Sequence, residues 1–170
     1  PRRPERFDEV AQLASSVPDA VSWRRSTMDG NEVLRGGVLV LDSIGELAAV
    51  YSVATIAFVG GSLVPRGGHN ILEPASFGVP ILVGPHTENF RDIIHIFQQQ
   101  DAVRMVQKAD LAPTLLALAA DKAERESLGR RAKDALHLHA GATARTADAL
   151  QRLVNASQRT ETIVAENTIP

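Results

Sequence analysis

An open α/β fold, a parallel sheet with helices on both faces, is what this sequence of 170 residues predicts. Three observations carry that prediction. Short, largely apolar runs such as Val38–Leu41 and Ala54–Val59 have strand length but lack the two-residue alternation of a half-exposed strand, the pattern of strands buried on both faces. These runs alternate with amphipathic stretches of helical period, as successive strand–helix–strand units require. Glycine-rich turns then follow the apolar runs, at Gly60-Gly61, Gly67-Gly68 and Gly84.

The first element is a helix over Pro4–Ser16. Pro4 suits a first turn, Glu5, Asp8 and Glu9 favour an N-terminus, and Phe7, Val10 and Leu13 recur at three-residue steps. Val21–Arg25 reads as a short strand, and Asp29-Gly30 and Arg35-Gly36-Gly37 as turn and loop. Strand Val38–Leu41 precedes a helix over Ile44–Ser52, and strand Ala54–Val59 precedes a short helix over Asn70–Phe77, with Pro74 in its first turn. Strand Pro80–Val83 ends at Gly84-Pro85, a helix covers Asn89–Gln100 and a strand Ala102–Val106. Beyond Ala109 the pattern is helical, with a break near Ala140-Gly141 and a polar segment after Asn155. Residues 1–157 thus read as one Rossmann-like domain, and residues 158–170 as a polar tail.

Composition narrows the chemistry. There are no cysteines, which removes disulfides, Cys-zinc sites, iron–sulfur clusters and thiol nucleophiles together. A net charge of −2 gives no global field for nucleic acid, and 4% aromatics argue against a base-stacking platform. No apolar run approaches the ~20 residues of a membrane helix. The P-loop, the G-x-G-x-x-G fingerprint and the G-x-S-x-G elbow are all absent, which disfavours NTP hydrolysis, hydride transfer and serine hydrolysis. His137 and His139, two apart on a helix, point to different faces and make a poor metal pair. No metal site and no cofactor are expected. The arginines Arg3, Arg6, Arg24 and Arg25 read as a solvated face, with Arg2 placed to meet a phosphate. The chain opens without an initiator Met and is expected to be a piece of a longer protein.

In open α/β sheets, ligands bind beyond the carboxyl ends of the strands. After Val38–Leu41 comes Ser43-Ile44-Gly45-Glu46, with capping-box spacing between Ser43 and Glu46. This is either a well-made helix start or a phosphate site that Gly45 lets a ligand approach. After Ala54–Val59, two glycine pairs, Ser62, Arg66 and His69 precede Asn70, a candidate cap. Glu73 has the chemistry to accept two hydrogen bonds from ribose hydroxyls. After Pro80–Val83, Thr87 or Asn89 is placed to cap the next helix, and His86 to face the same crevice as His69.

The run Gly60-Gly61-Ser62-Leu63-Val64-Pro65-Arg66-Gly67-Gly68-His69-Asn70-Ile71-Leu72-Glu73-Pro74 resembles the signature of bacterial 3-deoxy-D-manno-octulosonic acid (Kdo) transferases. Gly84-Pro85-His86-Thr87-Glu88-Asn89-Phe90-Arg91 is similar to the family's next motif. Leu41-Asp42-Ser43-Ile44-Gly45-Glu46-Leu47 resembles its D-[TS]-x-G-E-L motif, and Pro1-Arg2-Arg3-Pro4-Glu5-Arg6-Phe7 its P-R-H-P-E-R-F motif. The motifs stand in family order over about Pro1 to Val106.

The resemblance implies the C-terminal, donor-binding half of a two-domain GT-B glycosyltransferase. The family transfers Kdo from CMP-Kdo to the lipid A precursor, with inversion. It implies donor contacts at Pro1 and Arg2, at Ile44, Gly45 and Glu46, and at Asn70, Ile71, Leu72 and Glu73. Ser43, Ser62, Gly68, His69, His86 and Asn89 are further candidates. The family's His after Pro-Arg is replaced by Arg3 here, and Ile44 stands where Met is usual. The catalytic base, most of the acceptor site and the membrane anchor are implied to lie in an N-terminal part not present here. The whole protein is accordingly expected at the cytoplasmic face of the inner membrane, and this fragment is expected to be soluble, to bind donor weakly and not to turn over. Two rivals remain at this point: another GT-B enzyme using a UDP-sugar, and a non-catalytic nucleotide-binding or interaction module.

Overall fold

The computed structural model describes residues 3–138 and 151–152. Pro1, Arg2, His139, the break near Ala140-Gly141, Asn155 and the tail over 158–170 lie outside the described residues. The chain forms two compact units, Pro1–Val53 and Ala54–Pro170.

In the first unit a 3-10 turn over Pro4–Arg6 leads into helix α1, Phe7–Ser15. Strands β1, Ser22–Arg24, and β2, Val38–Val40, pair in parallel, with Trp23 opposite Leu39. Ala11 and Ala14 of α1 are buried with Val40, small residues that let the helix approach the two strands. Helix α2 spans Leu47–Val53. It therefore starts three residues later than the sequence expectation of Ile44. The reason is Gly45, which stands at φ +91°, a left-handed conformation that no helical turn contains. The capping box does not form: Glu46 supplies the first helical carbonyl, to the Val50 N–H, and the Ser43 hydroxyl bonds the Glu46 carboxylate instead.

In the second unit, strands β3 (Ala57–Val59), β4 (Ile81–Val83) and β5 (Arg104–Met105) form a parallel sheet in the order β3-β4-β5. Helix α3, Leu72–Ser76, links the first two, and helix α4, Arg91–Gln99, the second and third. All three β4 residues are buried, and the pleat divides them. Ile81 and Val83 pack with Ile71, Ala75, Ile94 and Phe97, whereas Leu82 packs with Leu118 and Leu128 and half-buried Leu111 and Leu115. Helices thus cover both faces, which is why the strand sequence is an unbroken apolar run. Helix α5, Leu111–Ala120, ends at Asp121, whose extended backbone breaks the helix. The Asp121 carboxylate then accepts the Glu124 N–H, starting helix α6 over 122–138. Leu128 of α6 joins one cluster and Ala132 and Ala135 the other.

Candidate functional site

In the first unit the turn after β2 is held by charge. The Asp42 side chain is 1% exposed. It accepts the Ser26 N–H at 2.8 Å, the Ser26 hydroxyl at 2.6 Å and Arg24 Nε at 2.8 Å. The Ser26 hydroxyl chiefly, with the Ser26 N–H and Arg24 adding to it, holds this carboxyl well below the usual carboxylate range against the opposing effect of burial. Arg24 also reaches Asp8 at 2.8 Å. Arg25 donates to Glu46 Oε1 through Nε at 3.1 Å, with a second guanidinium nitrogen at 3.0 Å. The Ser43 hydroxyl first, and Arg25 second, lower the Glu46 pKa. Ile44, between these anchors, is 79% exposed.

In the second unit the loops after β3 and β4 are stitched together. Ser62 is fully buried; its hydroxyl donates to Val59 O at 2.6 Å and accepts the Gly84 N–H at 2.8 Å. The Ser62 carbonyl accepts the His86 N–H at 2.9 Å. Asn89 donates its backbone N–H to Gly67 O at 3.1 Å and its carboxamide to Arg66 O at 3.2 Å. Gly84 is a steric necessity here, because a Cβ on it would lie 2.2 Å from Ser62 O. Neither Thr87 nor Asn89 caps α4, which begins at Arg91 after a 3-10 turn over Glu88–Phe90.

Asn70 does act at a helix start: its side-chain oxygen accepts the Leu72 N–H at 3.0 Å. With five residues, α3 offers individual N–H groups rather than a developed macrodipole. Ile71 is fully buried in the core, so a ligand here meets its backbone. Glu73 is exposed, and its carboxylate has no hydrogen-bond or ion-pair partner among the described residues. Gly68 is buried and exposed His69 lies over Gly61. His86 Nδ1 stands 3.4 Å from the Glu88 carboxylate. The Glu88 pKa is lowered, mainly by its own backbone N–H and secondarily by His86.

Within the second unit the structure therefore brings Ser62, Gly68, His86 and Asn89 into one pair of loops leading to Asn70 and Glu73. Ser62 turns its hydroxyl inward, where it joins the two strand ends. Within the first unit it brings Ser43 and Glu46 into one turn, and it corrects the reading of Arg24 and Arg25. Those two are ion-paired to Asp42, Asp8 and Glu46 rather than free on a solvated face. The sequence signal for this was present in the basic pair Arg24-Arg25 at the end of one short strand and the acidic Asp42 just past the end of another.

No family model matches the chain. It is 38% identical over 152 residues to a 3-deoxy-D-manno-octulosonic acid transferase of Bordetella pertussis, covering 89% of this chain and 35% of that protein. It is 40% identical over 153 residues to the transferase of the same name from Haemophilus influenzae, with 89% and 35% covered. The chain thus spans about a third of the length of these relatives. Among solved structures, it superposes on the C-terminal CMP-Kdo binding domain of WaaA from Acinetobacter baumannii with a TM-score of 0.72 and 40% identity, covering 80% of this chain and 70% of that one.

Proposed function

The chain belongs to the bacterial 3-deoxy-D-manno-octulosonic acid transferase family, and from that premise we propose that it binds the CMP-Kdo donor of an enzyme that transfers Kdo to the lipid A precursor. The observation that carries the reading is the likeness to a CMP-Kdo binding domain across most of this chain, at 40% identity.

In this reading Glu73 binds the ribose. Its carboxylate is exposed and unengaged among the described residues, so it is free to accept two hydroxyl hydrogen bonds. The Asn70–Leu72 hydrogen bond fixes the backbone that carries Glu73. Ile44, Gly45 and Glu46 contribute a turn whose open Gly45 admits a ligand, since nothing lies within 4 Å of a Cβ placed there. Arg2, with Pro1 before it, meets the phosphate. CMP is the leaving group, so negative charge grows on its phosphate in the transition state, and donors fixed in advance lower that barrier. His69, His86 and Asn89 border the same loops. A second domain supplies the base that deprotonates the acceptor hydroxyl and most of the acceptor contacts, and it anchors the enzyme at the inner membrane. This chain by itself therefore binds donor without turnover.

The test is a titration of CMP and UMP against residues 1–170, carried to millimolar nucleotide and followed by ligand-observed NMR. CMP binding in preference to UMP is expected. Glu73→Ala should raise the CMP dissociation constant at least about tenfold, the loss of charge-assisted hydrogen bonds of ~1.5–3 kcal/mol. No CMP binding at millimolar concentration, or unchanged binding by Glu73→Ala, refutes the assignment.

A further inference from the structure

We propose that Arg25 is a positioning residue of the donor site, holding the Ser43–Glu46 turn in its binding shape through the Glu46 carboxylate. The inference rests on the donor-site reading above.

Two successive arginines at the end of β1 hold the two ends of one turn. Arg24, with Ser26, fixes Asp42 where the turn leaves β2. Arg25 fixes Glu46 where the turn enters α2, through two nitrogens on one carboxylate oxygen. The second carboxylate oxygen takes the Ser43 hydroxyl, so the side chain of Glu46 is engaged on both sides by the protein itself. What this arrangement leaves open between the anchors is Ile44, 79% exposed, and the Gly45 backbone at φ +91°. The turn therefore presents main chain to a ligand, and the Glu46 carboxylate acts as its strut.

The pair is not there for bulk stability. Arg25 and Glu46 side chains are 39% and 38% exposed, and an ion pair so open to water contributes little. Its effect is geometric. A glycine at the centre of the turn is free to adopt many conformations, and the clamp selects one. Arg25 also neutralises Glu46, which would otherwise set a bare carboxylate beside an anionic nucleotide. Arg25 itself opens the 3-10 turn Arg25–Thr27 that directly follows β1, and its guanidinium also reaches Met28 O at 3.5 Å.

The experiment measures the CMP dissociation constant of residues 1–170 carrying Arg25→Met, Arg25→Lys, Glu46→Gln, and Arg25→Met with Glu46→Gln. If the clamp is needed to keep the competent turn dominant, and it falls to a tenth of the population without it, Arg25→Met raises the constant about tenfold. Arg25→Lys, which keeps the charge but not the fork, recovers part of the loss. Because Arg25 acts through Glu46, the double variant should bind no more weakly than Arg25→Met alone. In 1H–15N spectra the Gly45 amide should shift or broaden in Arg25→Met, while Trp23 fluorescence reports an intact first unit. Wild-type affinity in Arg25→Met, or losses that add in the double variant, overturns the proposal. If the unaltered chain binds CMP and Glu73→Ala weakens it, only the role of Arg25 fails. If the unaltered chain does not bind CMP, the donor-site reading fails and the proposal with it.

Discussion

Replacing Asp42 by Asn tests the buried charge on which the first unit turns. The carboxylate is 1% exposed and accepts three hydrogen bonds, of 2.8, 2.6 and 2.8 Å. An amide keeps one acceptor oxygen, enough for the Ser26 N–H, but sets an NH2 against Arg24 Nε and the Ser26 hydroxyl. The hydroxyl can turn and accept; Arg24 Nε cannot. One charge-assisted bond is lost and the two to Ser26 become ordinary ones, and at ~1.5–3 kcal/mol for a bond to a charged group the cost is about 3 kcal/mol. It is not larger, because Arg24 is 36% exposed and keeps Asp8, so water and a second carboxylate still compensate it. Trp23 is the only tryptophan and lies in β1 beside Arg24, so its fluorescence in a urea titration reports this unit directly. Asp8→Asn removes the other partner of Arg24 where the carboxylate is 83% exposed, and it should cost less than about 1 kcal/mol. The pH dependence has a definite sign. A carboxyl held below its unfolded value contributes stability that is full above the unfolded value and is lost as pH falls through the folded one. Asp42→Asn should therefore lower stability at neutral pH and flatten the acid limb. A loss below about 0.5 kcal/mol at pH 7, smaller than the ~1 kcal/mol of a single neutral hydrogen bond, or an equal loss in Asp8→Asn, would refute this account.

Two changes probe the stitched loops of the second unit. Gly84→Ala places a Cβ 2.2 Å from Ser62 O, a backbone atom that cannot swing aside, and should destabilise this unit by about 3 kcal/mol; thermal unfolding followed by far-UV circular dichroism measures it, and an unchanged midpoint would show that the loops yield. Ser62→Ala leaves the Gly84 N–H without its acceptor and should cost about 2 kcal/mol, with faster hydrogen exchange at Gly84 and little change at Val83, whose neighbours remain.

How much of this was legible in the sequence depends on the distance over which each feature is determined. Strand β4 was legible because burial on both faces leaves its mark on consecutive residues, Ile81, Leu82 and Val83. The Asn70 side chain was legible as a helix-start acceptor because its partner, Leu72, is two residues away. The start of α2 was misread for a local reason: Ser43 and Glu46 have capping-box spacing, but Gly45 between them stands at φ +91°, and the box needs a helical backbone there. Arg24 and Arg25 were misread for a non-local one. Their partners Asp42 and Glu46 lie 18 and 21 residues away, and only the parallel pairing of β1 with β2 brings the two strand ends side by side. That pairing also explains why the clamp sits where it does. In a parallel pair both chains finish at the same edge, so the residues that follow them meet there. The edge from which ligands are bound is thus also where two loops far apart in sequence can fix each other. A donor turn built on a freely rotating glycine would need such an outside support, and β1 provides it with the two residues at its end.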